Sequence, residues 1–285
     1  MRTATIDGRL HLLLGAGAID VHTASGGAFA ADPDPDAAFA DWDRLRDWAH
    51  TLDPARATPV DPARIGAPVR RPRQVFGVGV NYRDHAAEAG LAVPDTPVVF
   101  GKFSSCLTGP YDPVTLPSAA VDWEVELVVV VGRRAERVAA EDGWAHVAAL
   151  TVGQDLSERA VQVGAPVMQL SLAKSFPGFG PIGPALVTPD EFEDPDDLRL
   201  GCSIDGEVVQ NGSTRDLVFP VPELIARLSA HCTLLPGDLI FTGTPAGVGA
   251  VRRPPRFLRP GQTLVSWVEG IGELRNPMRA RPVNP

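Results

Sequence analysis

The feature that most constrains the fold is a series of short apolar runs after residue 70, each broken by Gly or Pro. Runs of this length and spacing predict β-strands joined by tight turns, in a sandwich, roll or barrel. The runs are QVFGVGVNY, PVVFGK, WEVELVVVVG, LRLGCSIDGEVVQNG, GDLIFTGTP and QTLVSWVEGIGEL. Three further segments predict helices: YRDHAAEAG, DGWAHVAALTV and VPELIARLSAH. The sequence therefore predicts a mixed β (α+β) fold.

The first 70 residues have a different pattern. The stretch TATIDGRLHLLL predicts a hairpin that turns at Asp7 and Gly8. Residues 53–74 are rich in Pro, Ala and Arg and predict an extended linker. We therefore predict a small N-terminal α+β domain with its linker at 1–70 and a second domain at 71–285. A helix is predicted between hairpin and linker from four apolar side chains at helical spacing: Phe39, Trp42, Leu45 and Trp48.

Charge and composition exclude several classes of partner. The net charge is −9 and no basic run is long enough to follow a phosphate backbone, so nucleic acid is not an expected partner. No apolar run reaches 18 residues and the first residues lack the apolar core of a signal peptide, so we expect no membrane partner and a cytoplasmic location. Cys106, Cys202 and Cys232 have no zinc or redox spacing and are expected to be reduced.

Carboxylates interrupt the most apolar of these runs, VDWEVELVVVVG at 121–132. Alternate residues of a strand share a face, so Glu124 and Glu126 project together with their Cα atoms about 7 Å apart. Asp122 shares that face at the start of the strand. Two like charges on a half-buried face repel each other and need solvent or a counterion.

Three arrangements would satisfy these glutamates. The face can be solvated, which is the more common arrangement for one strand taken alone. The glutamates can pair with arginines, or they can bind a hard divalent cation, which prefers carboxylate oxygens. Asp155, in TVGQDLSERAVQ, offers a third carboxylate from a separate segment. A Glu-x-Glu pair with a remote Asp is weakly specific, so the pattern alone leaves these alternatives open.

Several motifs, in order along the chain, resemble the fumarylacetoacetate hydrolase family. The resemblance extends from about residue 73 to residue 277. The motifs are VGVNYRDHAAEAG, DWEVELVVVVG, QDLSERAVQ, AKSFPGFGPIGP and GDLIFTGTPAGVG. It implies a β-sandwich roll beside a small N-terminal domain, and a homodimer. It also implies Mg²⁺, Mn²⁺ or, in some members, Ca²⁺, held at the positions of Glu124, Glu126 and Asp155.

The same resemblance implies roles for five further residues. His85 and Glu88 match a His-x-x-Glu pair on a helix that acts as a lid over the metal. A carboxylate three residues away can orient the imidazole as a base. Lys174 matches a lysine that faces the substrate carboxylate or developing negative charge. Gln162 and Thr244 match residues that contact the substrate.

Other positions carry different expectations. We expect Lys102 to be a solvated residue near a substrate loop and Asp122 to mark only the start of its strand. Asp84 aligns with a fourth metal carboxylate of some family members, but three ligands are expected here. The chain departs from the family pattern around the predicted substrate pocket at four positions: Gln154, Glu158, Ala160 and Pro177.

The implied reaction is hydrolysis of a C–C bond in a 2-oxo acid of the acylpyruvate type. In this hypothesis the metal stabilises the enolate, His85 with Glu88 activates water, and Lys174 holds negative charge. The same residues could decarboxylate oxaloacetate or isomerise an unsaturated oxo-diacid, because the family fold does not fix the reaction. A relative that binds metal or metabolite without turnover is the remaining alternative.

Overall fold

The computed structural model describes residues 1–31 and 35–282. Its strands are β1 (Arg2–Ile6), β2 (Arg9–Leu14), β3 (Gly17–Asp20), β4 (Thr58–Pro59), β5 (Ile65–Gly66), β6 (Val75–Gly79), β7 (Val98–Gly101), β8 (Leu107–Thr108), β9 (Val114–Leu116), β10 (Val121–Asp122), β11 (Val125–Val131), β12 (Val147–Gln154), β13 (Ser157–Glu158), β14 (Gly180–Val187), β15 (Arg199–Ile204), β16 (Glu207–Ser213), β17 (Leu239–Phe241), β18 (Thr263–Val268) and β19 (Gly272–Ala280).

The helices are short, and none is longer than nine residues among those described. The α-helices are α1 (Val21–Ala24), α2 (Pro35–Ala38), α3 (Trp42–Ala49), α4 (Arg83–Glu88), α5 (Arg159–Val163), α6 (Leu170–Ala173) and α7 (Val221–Ser229). Short 3₁₀ segments occur at Pro54–Arg56, Pro62–Arg64, Ser104–Cys106, Ala140–His146, Pro189–Glu191 and Thr214–Asp216. Within the described ranges, no helix has both the length and the apolar character needed to cross a membrane.

Two sheets form the body of the fold. The larger has 12 strands in the order β4-β3-β2-β1-β14-β12-β11-β17-β6-β7, with β5 beside β1 and β8 beside β14. The smaller has five strands in the order β16-β15-β18-β19-β9, and β10 pairs with β13 separately. Strands β11, β12 and β14 of the larger sheet pack against β15, β18 and β19 of the smaller one. This sheet-dominated architecture confirms the predicted mixed β fold.

Strand β11 is central because both of its faces are buried. It pairs antiparallel with β12 on one side and with β17 on the other. Val125, Leu127 and Val129 enter the core between the two sheets, whereas Val128 and Val130 enter a second core on the opposite face. Glu126 shares the face of Val128 and Val130, so the strand carries a carboxylate into the protein interior.

The N-terminal residues extend the larger sheet. The hairpin predicted at Asp7 and Gly8 is confirmed by the pairing of β1 with β2, and β1 also pairs with β14. Helix α3 covers the second core, where Trp42 and Leu45 are buried with Val128. The predicted linker contains the 3₁₀ segments Pro54–Arg56 and Pro62–Arg64 and adds the short strands β4 and β5. The division at residue 70 stays a prediction.

The predicted helices at α4 and α7 are confirmed, but the helix predicted over residues 142–152 is wrong in its second half. A 3₁₀ turn at Ala140–His146 leads directly into strand β12, which lies between β11 and β14. Tertiary pairing outweighs the helical spacing of Trp144, Ala148 and Thr151. Strand β12, in place of a helix, brings Asp155 beside β11.

Candidate metal centre and active site

Glu124, Glu126 and Asp155 form one buried cluster. Each offers a carboxylate oxygen, and these oxygens lie within 4.8 Å of one another. Glu124 directly precedes β11, Glu126 lies on it, and Asp155 follows the neighbouring strand β12. The Asp155 N–H donates to the Glu124 carbonyl at 2.9 Å, which fixes the end of β12 beside the start of β11. The exposed fractions are 6%, 2% and 1%, so the solvated outer face is excluded.

Two lysine ammonium groups lie against this cluster. Lys174 Nζ is 2.6 Å from both Glu124 Oε2 and Asp155 Oδ2, and it donates to Ser157 Oγ at 2.8 Å. Lys102 Nζ is 2.5 Å from Asp155 Oδ1 and also donates to the carbonyls of Lys174 and Phe179. The expectation of a solvated Lys102 is therefore wrong: its ammonium is buried as a second counterion of Asp155.

Arg159 connects the cluster to Asp122. Its Nη2 lies 2.6 Å from Glu124 Oε1, its Nε donates to Asp122 Oδ2 at 2.9 Å, and its Nη1 donates to Gln162 Oε1 at 2.7 Å. Asp122 is fully buried and accepts from the N–H groups of Gly249 and Ala250. The expectation that Asp122 only marks the start of a strand is therefore wrong, because its carboxylate holds Arg159 and the loop that follows β17.

The charges shift the ionisation of these groups in opposite directions. Burial alone would raise the pKa of Glu124, but Lys174 and Arg159 lower the pKa to about 2. Burial raises the pKa of Glu126 well above its ordinary value, and the charges of Asp155 and Glu124 raise it further. Burial would lower the pKa of Lys174, but Asp155 and Glu124 raise it, so the ammonium stays charged.

The cluster fits a hard divalent cation. Asp122, Glu124, Glu126 and Asp155 are four carboxylates, and three cationic side chains contact them: Lys102, Lys174 and Arg159. Within residues 1–31 and 35–282 no cationic side chain forms an ion pair with Glu126, whose Oε2 accepts only from the Gly243 N–H at 2.8 Å. A divalent cation would supply the missing positive charge, and all-oxygen ligands select Mg²⁺, Mn²⁺ or Ca²⁺ over softer metals.

His85 is held by a carboxylate that also docks its helix. His85 Nδ1 lies 2.9 Å from Glu88 Oε1, and both oxygens of Glu88 accept from the Gly247 N–H, at 3.0 and 2.9 Å. Asp84 accepts from the Ala246 N–H at 3.2 Å and lies outside the three-carboxylate cluster. Helix α4 is therefore fixed to the loop after β17. The same loop donates the Gly243 N–H to Glu126, so it joins α4 to the carboxylate cluster.

The two predicted substrate contacts have different environments. Gln162 is almost buried and its carbonyl oxygen accepts from Arg159, which places it at the edge of the cluster. The Thr244 hydroxyl donates to the Val125 carbonyl at 2.8 Å and accepts from Gln210 Nε2 at 2.7 Å. The hydroxyl therefore ties its loop to β11. Substrate binding by Gln162 and Thr244 stays a prediction.

The departures from the family pattern do not add groups to the cluster. Gln154 accepts from the Glu124 N–H and donates to Ser266 Oγ, both at 2.9 Å, so its longer side chain connects β11 to the smaller sheet. Glu158 caps α5 by accepting from the Val161 N–H at 2.5 Å. Ala160 and Pro177 are exposed. The carboxylates and cations thus remain intact around these four changes.

The raised pKa of Glu126 predicts that a divalent cation stabilises the protein more at pH 7.5 than at pH 5.5. A carboxyl group whose folded pKa is raised contributes full stability below its unfolded pKa of about 4.5, and that contribution is lost as the pH rises toward the folded pKa. Between the unfolded and the folded pKa, the cation must displace one proton from Glu126 in order to bind. Each pH unit in this range therefore adds about 1.4 kcal/mol to the stabilisation by the cation, or roughly 2–4 °C to the shift in melting temperature.

Melting temperatures with and without Mn²⁺ at several pH values check this expectation. Glu126→Gln is the control, because it removes both the titrating group and a proposed ligand and should abolish the cation effect at both pH values. Glu124 affects stability in a different pH range. Its pKa of about 2 lies below the unfolded value of about 4.5, so the stability that its carboxylate contributes is lost only as the pH falls from 4.5 toward 2. A cation effect that is the same at pH 5.5 and 7.5 would contradict the assignment.

Comparison with known proteins places the chain in a family. The fumarylacetoacetate hydrolase C-terminal domain matches residues 74–279. A mitochondrial oxaloacetate tautomerase of Bos taurus is 48% identical over 212 residues, which is 74% of this chain and 68% of the relative. A Mycobacterium smegmatis structure described as an HpcE protein superposes with a TM-score of 0.93 at 50% identity, covering 99% of this chain and 100% of that one.

A third relative contains both a metal and a small oxo acid. The maleylpyruvate hydrolase of Sphingobium sp. SYK-6, solved with manganese(II) and pyruvate, has a TM-score of 0.79 at 28% identity and covers 99% of this chain and 100% of its own. These matches include enzymes named for tautomerisation and for hydrolysis. Together with the extent of the domain match, they show that the chain belongs to the fumarylacetoacetate hydrolase family.

Proposed function

We propose that this protein is a divalent-metal-dependent enzyme that interconverts the keto and enol forms of a small 2-oxo acid of the oxaloacetate type. The observation that carries the proposal is that one loop, residues 243–247, donates N–H groups both to Glu126 of the buried carboxylate cluster and to Glu88, which holds the His85 imidazole. Mg²⁺ or Mn²⁺ is the proposed metal, and Glu124, Glu126 and Asp155 would hold it.

When bound, such an ion acts as a Lewis acid on a substrate carbonyl oxygen and lowers the cost of negative charge there. The residues around it have separate tasks. Lys174 keeps its charge because Asp155 and Glu124 raise its pKa, so it can attract the substrate carboxylate or the developing enolate. Arg159 and Lys102 fix the orientation of Glu124 and Asp155 through direct ion pairs.

His85 is the proposed base. Glu88 accepts a hydrogen bond from Nδ1–H, which leaves the lone pair on Nε2 free to take a proton from the carbon beside the substrate carbonyl. The Nε2–H group can then give that proton to the enolate oxygen, which yields the enol, and the reverse transfers yield the keto form. Docking of α4 on Gly247, together with the Glu88 contact, holds this imidazole in position.

The keto–enol assignment is supported by the relative of Bos taurus, which is named an oxaloacetate tautomerase and is 48% identical to this chain. Tautomerisation needs only proton transfer beside a polarised carbonyl. The three elements described above, a base, a cation site and an ammonium group, are sufficient for that step.

Hydrolytic C–C cleavage of an acylpyruvate is the second candidate. The maleylpyruvate hydrolase of Sphingobium, with its manganese(II) and pyruvate, supports it. In this reaction His85 Nε2 would take a proton from water, the hydroxide would attack the distal carbonyl, and the C–C bond would break to release an acid and the enol of pyruvate. Decarboxylation of oxaloacetate would use the same residues without a water nucleophile.

Purified protein assayed with Mn²⁺ or Mg²⁺ separates these candidates. Enol oxaloacetate prepared in an aprotic solvent loses its ultraviolet absorbance as it ketonises in buffer, and we expect the enzyme to accelerate that loss in a metal-dependent way. Acylpyruvates report cleavage through pyruvate release, and oxaloacetate reports decarboxylation through carbon dioxide. Acylpyruvate cleavage without ketonisation would replace the first candidate by the second. Tight 2-oxo acid binding without any turnover would overturn both.

We also propose that the protein is a homodimer in the cytoplasm. The support for a dimer is an uncharged apolar surface formed by β7, the edge strand of the larger sheet, and by α5 and α6, which pack together beside it. Its exposed side chains are Val98, Val99, Phe103, Val161, Val163, Val167, Met168 and Leu172. No residue from 160 to 173 is charged. An unpaired apolar edge of this kind favours association with another copy.

A matched pair of substitutions tests the dimer. Leu172→Glu should shift the protein from dimer to monomer in light scattering at micromolar concentration, because it buries a charge in the interface. Val208→Glu is the control, since Val208 is exposed to a similar extent, 58% against 56%, but lies on β16 of the smaller sheet. A monomeric unsubstituted protein, or equal effects of both substitutions, would contradict the proposed surface.

A further inference from the structure

An arginine-rich groove lies next to the loop that follows β17. Its volume is about 990 Å³, and its walls come from residues 252–260 together with Leu116, Ser118, Ala119, Ala280 and Arg281. Five arginines line it: Arg252, Arg253, Arg256, Arg259 and Arg281. Among the described residues that line it, none is acidic. Its apolar walls include Leu116, Phe257 and a run of prolines.

This concentration of positive charge is unusual for a chain with a net charge of −9. Arginines elsewhere on the surface commonly pair with a carboxylate, as Arg134 does with Glu136 and Arg215 with Asp197. Of the groove arginines, only Arg256 forms an ion pair within the described ranges, with Glu207 at 2.7 Å. Bringing several unneutralised guanidinium groups together costs free energy that an anionic ligand would recover.

Arg252 connects the groove to the active site. Its Nη2 donates to the carbonyls of Val209 and Gly247, at 2.9 and 3.0 Å, while its Nε is buried without a hydrogen-bond partner among the described residues. The N–H of the same Gly247 donates to Glu88, which orients His85. Gly247 therefore connects the groove with the His85–Glu88 pair. Its carbonyl accepts from Arg252 in the groove, and its amide donates to Glu88.

We propose that this groove binds a phosphate-bearing small molecule and that the bound anion acts on the position of α4 through Arg252 and Gly247. Guanidinium groups present parallel N–H donors that match phosphate oxygens in pairs, and several of them suit two or more phosphate groups. The apolar walls would accept an attached organic group. The ligand can thus be an inorganic polyphosphate or the phosphate chain of a nucleotide or coenzyme.

Calorimetric titration tests the binding step without reliance on the catalysed reaction. Inorganic pyrophosphate, ADP and coenzyme A are titrated separately into the full chain after removal of divalent cations, because pyrophosphate and ADP bind such ions. We expect saturable binding of at least one probe. Similar affinities for pyrophosphate and ADP would identify the phosphates as the whole determinant, whereas tighter binding of ADP or coenzyme A would show that the organic group also contacts the groove.

The double substitution Arg253→Gln with Arg259→Gln should weaken binding about tenfold or more, because both side chains are exposed in the groove and outside the catalytic cluster. Arg134→Gln with Arg215→Gln is the matched control and should change the affinity less than twofold. No binding of any probe, or equal binding by both double variants, would overturn the proposed site.

Hydrogen exchange of residues 82–90 tests the connection to α4. Saturating anion should change exchange in this segment of the unsubstituted protein, and the same concentration should leave the Arg253→Gln, Arg259→Gln protein unchanged. Binding that leaves exchange over residues 82–90 unaltered would overturn the connection through Gly247. Because exchange and binding are measured without substrate, failure of the proposed keto–enol reaction would leave this result intact.

Discussion

Glu126→Gln is expected to remove divalent-cation binding while the metal-free protein stays at least as stable as the unsubstituted chain. Glu126 has no cationic partner among the described residues, and its carboxyl is disfavoured as an anion by burial and by the charges of Asp155 and Glu124. Gln keeps an oxygen for the Gly243 N–H and removes the charge. Loss of a direct ligand should lower metal affinity by more than the roughly 10–100-fold that follows loss of a residue supporting a ligand.

Asp155→Asn is the matched substitution and should behave differently. It also removes a proposed ligand, but it takes away the carboxylate on which Lys102 and Lys174 converge. Lys174 keeps Glu124, whereas Lys102 keeps only carbonyl oxygens. Breaking a buried ion pair by removing one partner costs about 3–5 kcal/mol, so we expect a clear loss of stability in the metal-free protein.

Denaturant unfolding of metal-free proteins and metal titration of the folded ones measure the two effects separately. Both variants should lose cation binding and turnover, and only Asp155→Asn should lose several kcal/mol of unfolding free energy. If Glu126→Gln retained the metal and its activity, the three-carboxylate assignment would be incorrect. If Asp155→Asn proved as stable as Glu126→Gln, Lys102 and Lys174 would not depend on Asp155 in the way their contacts indicate.

The contrast between these variants shows what local pattern could and could not predict. Alternation along residues 121–132 placed Glu124 and Glu126 on one face, and the structure agrees. The pattern could not distinguish a solvent-exposed face from a buried one, because burial depends on which other elements cover the strand. Glu126 is buried because β11 lies between β12 and β17 and carries a core on each face.

The counterions were the hardest part of the site to predict. Lys102 is one of only two lysines among 26 basic residues, so its rarity was a usable indication. Its partner Asp155 is 53 positions away and reaches it only through the folded sheets. Arg159 and Asp122 are likewise 37 positions apart, and β10 and β13 bring them together by pairing Asp122 with Ser157. Such pairs follow from strand register, which single-sequence periodicity does not fix.

Loop chemistry provided another part of the site that side-chain motifs could not reveal. Residues 243–250 donate backbone N–H groups to four carboxylates: Glu126, Asp84, Glu88 and Asp122. Every residue except proline has a backbone N–H, so the residue types in TGTPAGVG predicted only a turn with a substrate-binding threonine. The glycines permit this path, since Gly243 and Gly247 adopt φ values of 106° and 111°, which other residues rarely adopt.

His85→Gln is expected to lower kcat by about 10²–10⁴-fold, the range typical of losing a general base, while cation affinity and melting temperature stay unchanged. His85 lies on the surface helix α4, and within the described ranges its side chain hydrogen-bonds only to Glu88, so its removal leaves the core and the ion pairs of the cluster in place. The low-pH side of the kcat profile should also flatten, because the reaction no longer requires an unprotonated imidazole. Steady-state kinetics across pH, with metal titration in parallel, measure each of these.

Glu88→Gln gives the graded comparison. The substitution keeps an acceptor for the Gly247 N–H and for His85 Nδ1 but removes the charge that favours the Nδ1–H tautomer. We expect a smaller loss of kcat than for His85→Gln, about tenfold, with KM little changed because α4 remains docked on Gly247. Full kcat in His85→Gln would exclude the imidazole as the base. A larger loss in Glu88→Gln than in His85→Gln would instead identify the docking of α4, rather than proton transfer, as the main contribution of this pair.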